Sequence, residues 1–184
     1  MSFDYFIPTR VIFGRGKFHA IEEIELPGKK ALIVISSGKS MYRLGYLEAL
    51  EKQLDKKGIA HCLFNKILPN PIKPHVMEGA ALARAEGCDF IISLGGGSTI
   101  DSSKAIALMA TNNGDYWDYV KTGTGKGMPI QNKPLPVMVI STTSGTGSEA
   151  DSFAVITNED TGEKIGFGCP ALFPTLTLID PELT

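Results

Sequence analysis

Gly95-Gly96-Gly97-Ser98-Thr99-Ile100-Asp101-Ser102-Ser103-Lys104 sets three glycines between an apolar run, Phe90–Leu94, and a helical pattern carrying Ala105, Ile106, Leu108 and Met109. A strand that ends in glycines and opens a helix brings bare backbone N–H groups up to whatever lies above the sheet. Those donors, with the positive end of the helix dipole, suit a phosphate. Glycine is needed because a side chain would block the approach and because such turns often require positive φ. A tight strand-to-helix turn without a ligand uses the same residues, and the spacing is not the commoner G-x-G-x-x-G fingerprint.

Three more polar stretches follow apolar runs. Ser36-Ser37-Gly38-Lys39-Ser40 comes after Lys30–Ile35. Many dinucleotide folds place a carboxylate near this point, where it binds the adenosine ribose and repels a 2′-phosphate. Hydroxyls, a glycine and a lysine favour an anion there, and hence NADP(H) over NAD(H). A solvated turn with a helix cap at Ser40 accounts for the same residues. Leu68-Pro69-Asn70-Pro71 presents the Asn70 side chain from a stiff loop or simply forms a turn. Ser141-Thr142-Thr143-Ser144-Gly145-Thr146-Gly147-Ser148-Glu149 supplies hydroxyl donors around a polar ligand, or a plain surface loop. Asp101 falls in the first turn of its helix, where a carboxylate complements the dipole in any case. Lys104 is expected one turn further on and solvated. Ser144 has no histidine near it in sequence and no nucleophile-elbow motif, so nucleophilic catalysis is a weak reading.

The elements that must position these loops alternate. Strands are expected at Lys30–Ile35, Ile59–Phe64, Asp89–Leu94 and Leu135–Ile140. Helices are expected over Met41–Lys56, with Leu44, Leu47, Leu50 and Leu54 on one face, and over His75–Glu86 and Ser98–Thr111. This rhythm implies an α/β fold, a parallel sheet with helices on both faces. Ligands then lie beyond the carboxyl ends of the strands, so all four loops should line one crevice. After Ser141 the pattern changes to late strands at Ala154–Thr157, Lys164–Phe167 and Leu176–Ile179, the first two forming a hairpin. Gly123–Met128 is expected as a flexible surface loop.

A chain of 184 residues has room for one substantial core. A net charge of −2 with scattered Lys and Arg gives no electrostatic reason for a nucleic acid or an anionic membrane as partner. No run approaches the roughly 18 apolar residues of a membrane helix. The start Met1-Ser2-Phe3-Asp4-Tyr5 lacks the pattern of a secretory leader. Cys62, Cys88 and Cys169 show no C-x-x-C spacing and read as small buried hydrophobes of a reducing, cytoplasmic protein.

With these loops in view, the chain resembles the iron-dependent (group III) alcohol dehydrogenases. Matches run in order: Ile7-Pro8-Thr9-Arg10 with Phe13-Gly14-Arg15-Gly16, Pro69-Asn70-Pro71, Gly95 to Ala105, Thr142 to Asp151, Val155-Ile156-Thr157, Lys164, and Leu178 to Leu183. The resemblance implies a Rossmann-like dinucleotide-binding domain over 1–184. It places Gly96, Gly97 and Ser98 at the pyrophosphate and Asn70, Thr142, Thr143 and Thr146 along the cofactor. Asp101, Val155, Lys164 and Leu172 fall toward the nicotinamide and its ribose, and Ser36, Ser37, Gly38, Lys39 and Ser40 look like NADP-preferring members.

Family members continue into a helical domain whose aspartate and three histidines hold Fe²⁺ (or Zn²⁺). The chain stops where that domain should start, and His19, His61 and His75 match no metal motif. The resemblance therefore implies the cofactor half of an NAD(P)-dependent alcohol dehydrogenase, inactive alone. It should self-associate through an apolar surface around Val155, Phe167, Leu172 and Phe173, by pairing of the late strands. A non-enzymatic nucleotide-binding module is the rival reading. So is a relative such as a glycerol or glycerol-phosphate dehydrogenase or a dehydroquinate synthase.

Overall fold

The computed structural model describes residues 2–3 and 6–184; Met1, Asp4 and Tyr5, part of the stretch read for a leader, lie outside the described residues. In chain order the elements begin with β1 (Arg10–Phe13), β2 (Lys30–Ser36), α1 (Ser40–Arg43), α2 (Tyr46–Lys56), β3 (Ala60–Ile67) and α3 (Lys73–Glu86). There follow β4 (Phe90–Gly95), α4 (Gly97–Thr111), α5 (Tyr116–Tyr119), β5 (Val137–Ser141), β6 (Phe153–Asn158), β7 (Glu163–Gly168) and β8 (Leu176–Ile179).

Six strands form one parallel sheet in the order β1-β8-β5-β4-β2-β3, and β6 and β7 pair as a separate antiparallel hairpin. Alternation along the strands feeds two cores. Leu32, Val34, Ile91 and Val139 pack with residues of α3 and α4 on one face; Ala31, Ile33, Ile35, Ile92 and Ile140 pack with Leu47, Leu50, Leu54, Phe18 and Ile21 on the other. The sheet is therefore apolar on both sides, as its continuous Val/Ile/Leu runs require. From β2 the chain moves outward to β3, then crosses back to β4 on the other side. That reversal puts a switch point between the carboxyl ends of β2 and β4, where open α/β sheets bind ligands.

Several expectations change. The single helix over Met41–Lys56 is two, broken at Gly45, whose φ of 72° is left-handed. The break turns Leu44 out to 51% exposure, away from the leucine face. The late strand β8 is interior, between β1 and β5. The apolar surface expected around Val155, Phe167, Leu172 and Phe173 does not exist as such. Phe167 and Leu172 are buried in the core with α4, and the exposed apolar side chains include Phe6, Val11, Phe13 and Phe153 instead.

The loop over 123–128 is tied down. Its backbone N–H groups at Gly125, Lys126, Gly127 and Met128 bond to Thr122, Trp117, Val120 and Asp118. The Glu163 carboxylate of β7 accepts from the Thr124 N–H at 3.0 Å, the Thr124 hydroxyl and the Trp117 indole N–H. The sequence offered no periodic signal for this closure, which depends on a residue some forty positions away.

Candidate functional site

At the carboxyl edge of the sheet, Gly95 ends β4 and α4 begins at Gly97 with no side chain capping it. The Thr99 N–H already bonds back to the Gly96 carbonyl at 2.9 Å, so the N–H groups of Gly97 and Ser98 are the ones left available to an anion. The cradle is tight. A Cβ on Gly96 would lie 2.8 Å from Thr143 Cγ2, and one on Gly97 would lie 2.8 Å from Thr146 Cγ2. The threonine loop after β5 thus closes on the glycine turn, and side chains larger than hydrogen have no room between them.

Two crevices meet at this turn and share Gly97 and Ser98. One, of about 330 Å³, includes Ser36, Ser40, Met41, Leu68, Gly96, Thr142 and Thr143. The other, also about 330 Å³, includes Asn70, Asp101, Thr146, Ser148, Asp151, Phe153, Val155 and Lys164. Beyond the first lies a shallower hollow of Ser37, Gly38, Lys39, Tyr42, Arg43 and Asn65, with Asn65 donating to the Tyr42 hydroxyl at 2.8 Å. Its two basic side chains face no carboxylate in that lining. The structure thus brings together every site residue read from the sequence except one.

Leu172 is the exception. It sits 2% exposed beside the amino-terminal ends of β5 and β8, in a different crevice with Pro134, Pro136 and Pro170. The turn Pro170–Leu172 leads into β8, so it reaches the sheet at the edge opposite the glycines.

Lys104 also departs from expectation. It is fully buried, donating to Ser148 Oγ at 3.0 Å, Asp151 Oδ1 at 2.8 Å and the Phe153 carbonyl at 2.8 Å. Ser148 Oγ in turn donates to Asp101 Oδ1 at 2.5 Å, and the Val155 N–H donates to Asp101 Oδ2 at 3.0 Å. Burial pushes the Asp101 carboxyl above its ordinary value, against the lowering effect of the bonds from Ser148 and Val155. Burial likewise pulls the Lys104 ammonium down, against its bond to Asp151. Ser148, Asp151 and Phe153 join the site only through three-dimensional packing. The Ser/Thr-rich sequence around Ser148 was the available signal, whereas Phe153 offered none.

The crevices together run across the ends of β2, β4 and β5, with the glycine turn between them, Lys39 and Arg43 toward one end, and Asp101, Val155 and Lys164 toward the other. Among the described residues no three His, Cys, Asp or Glu side chains come close enough to hold a metal ion, and no helix is long and apolar enough to cross a membrane.

Comparison with known proteins agrees with this fold. The family described as iron-containing alcohol dehydrogenase matches residues 8–181. NADH-dependent butanol dehydrogenase A of Clostridium acetobutylicum is 40% identical over 185 residues, covering 100% of this chain and 46% of its own length. The crystal structure of the archaeal halo-thermophilic Red Sea brine pool alcohol dehydrogenase ADH/D1 superposes with a TM-score of 0.91 at 37% identity, over 100% of this chain and 47% of that one. That of sulfoacetaldehyde reductase from Bifidobacterium kashiwanohense in complex with NAD+ gives 0.88 at 33% identity, over 100% and 47%. The chain thus spans about half the length of the relatives it matches. It belongs to the iron-containing alcohol dehydrogenase family.

Proposed function

We propose that this chain is the dinucleotide-binding wall of an NAD(P)-dependent alcohol dehydrogenase, which interconverts an alcohol and its aldehyde. The observation that carries the reading is the uncapped start of α4 held against Thr143 and Thr146 with no space for a Cβ at Gly96 or Gly97. A pyrophosphate is the anion such a cradle suits. Hydride exchange is the chemistry that the dinucleotide supplies when bound. The roles of the chain are to bind and orient it: Gly96, Gly97 and Ser98 at the pyrophosphate, Thr142, Thr143 and Thr146 beside it, and Asn70, Asp101, Val155 and Lys164 toward the nicotinamide ribose. The chain alone is read as a cofactor wall without turnover of its own.

At the adenosine ribose, Lys39 and Arg43 without an opposing carboxylate support NADP(H). Two of the three relatives above carry NADH or NAD+ in their names, and those names speak for the relatives. Self-association belongs to the same reading. The edge strand β1 exposes Phe13 at 68% and Val11 at 45%, surface that a second sheet edge would cover.

Titration of the purified chain with NADPH and NADH, followed by dihydronicotinamide fluorescence, tests the binding. Saturable binding of both, NADPH at least as tightly, is expected; no binding of either overturns the proposal. Addition of a primary alcohol and Fe²⁺ should give no turnover above background. Measurable oxidation would refute the cofactor-wall reading.

A further inference from the structure

Lys104 is not on the wall of either crevice, yet it holds one end of the site in place. Its ammonium has three protons and uses all of them, on Ser148 Oγ, Asp151 Oδ1 and the Phe153 carbonyl. All three acceptors come from a single irregular segment, which runs from the threonine loop into β6. That segment lines the crevice across from α4, and on its own it has only a three-residue 3-10 turn, Ser148–Ala150, to give it shape.

The bond to Ser148 has a directional consequence. A hydroxyl carries one proton, and its oxygen lone pair already receives a proton from Lys104. The Ser148 proton therefore points to Asp101 Oδ1, at 2.5 Å. The Val155 N–H holds the other carboxylate oxygen. Asp101 is fixed at both oxygens, and its remaining lone pairs face the crevice it lines. A buried cation beside it also offsets the cost of keeping a carboxylate out of water.

From this chain of bonds, and resting on the cofactor reading above, we infer that Lys104 is a positioning residue: acting through Ser148, it presents Asp101 to the nicotinamide-ribose half of the dinucleotide while leaving the adenosine half untouched. The adenosine end is built from the β2–α1 turn, which shares no bond with this network.

The test compares NADH with ADP, which bears the adenosine and pyrophosphate but neither the second ribose nor the nicotinamide. In the unaltered chain NADH should bind more tightly than ADP. In Lys104→Met the NADH affinity should fall about tenfold, the scale of a lost charge-assisted bond, with ADP affinity within about twofold. A variant that keeps the NADH advantage, or that loses both ligands equally with a lowered Tm, overturns the inference. Should Lys104→Met fail to fold, Ser148→Ala leaves the Lys104–Asp151 pair in place and must give the same split; retention of the NADH advantage there is equally fatal. An unaltered chain that binds neither ligand refutes the cofactor reading itself, a result readable before any variant is made.

Discussion

Lys164 Nζ donates to Asn70 Oδ1 at 2.7 Å, joining the hairpin to the β3–α3 loop across 94 residues of sequence. The Thr157 N–H to Pro71 carbonyl bond, 2.8 Å, closes the same seam. Asn70 holds φ 58°, alone among the described non-glycine residues in taking a positive value. Asparagine tolerates that conformation better than most side chains. Asn70→Gly keeps the backbone and deletes the carboxamide, whereas Asn70→Ala deletes it and adds strain of about 1–2 kcal/mol. Both should weaken NADPH binding by roughly three- to tenfold, but only Asn70→Ala should also lower Tm. Equal melting temperatures for the two would show that the backbone is unstrained.

Gly38→Asp should separate the two cofactors. A Cβ at Gly38 meets nothing closer than Ser36 Oγ at 3.6 Å, so the backbone accepts the change. A carboxylate near Lys39 and Arg43 repels a 2′-phosphate and offers the unphosphorylated ribose an acceptor. Parallel titrations should show NADPH affinity falling about tenfold or more at low ionic strength, with NADH unchanged or improved. Equal losses for both would place the adenosine ribose elsewhere.

At Gly96 the first neighbour of an added side chain is Thr143. Gly96→Val should reduce dinucleotide affinity by about 3 kcal/mol or more, through lost N–H contacts and blocked space. Two causes are separable. If Gly96→Ala acted only by displacing the threonine loop, adding Thr143→Ala would relieve the contact and restore calorimetric affinity. Persistent loss in the double variant is the expected result, because the Cβ occupies the cradle itself.

Alkaline pH should destabilise the fold. Burial, aided by the neighbouring Cys62 at 3.5 Å, pushes the Cys88 thiol up to about 12 from an ordinary 9.0, and burial raises Cys62 as well. Burial also raises the Tyr116 hydroxyl, which has no hydrogen-bond partner among the described residues. Raised folded values mean that the unfolded chain releases these protons first. Their contribution is intact below pH 9 and is lost as pH climbs through the ordinary thiol and phenol values. The lowered Lys104 acts in the opposite sense and blunts the slope. Tyr116→Phe, which removes the orphan hydroxyl, should match or exceed the unaltered Tm at pH 7 and widen that margin by pH 10.5; parallel melting curves would contradict the assignment.

Periodicity and punctuation made most of this fold legible. The Val/Ile/Leu runs of β2, β4 and β5 and the polar, glycine-bearing stretches after them announce strands and turns from local chemistry alone. What escaped was non-local. Lys104 reads as a surface lysine because its partners lie 44 to 49 residues away. The resemblance carries Leu172 toward the nicotinamide, yet the turn at Pro170 delivers it to the far edge of the sheet. Gly45 reads as an interruption that a helix could absorb; its left-handed backbone instead ends one helix and starts another.

That last break has a consequence for how the binding specificity of such a chain can change. Helix α2 is bolted to the core by Leu47, Leu50 and Leu54 and by Gln53, whose side chain holds backbone groups of Phe18 and Ile21. Helix α1, which carries Tyr42 and Arg43 next to Lys39, buries only Met41. The glycine hinge decouples the two. Lys39, Tyr42 and Arg43, at the proposed adenosine end, are thus free to mutate without disturbing the packing that keeps the protein folded.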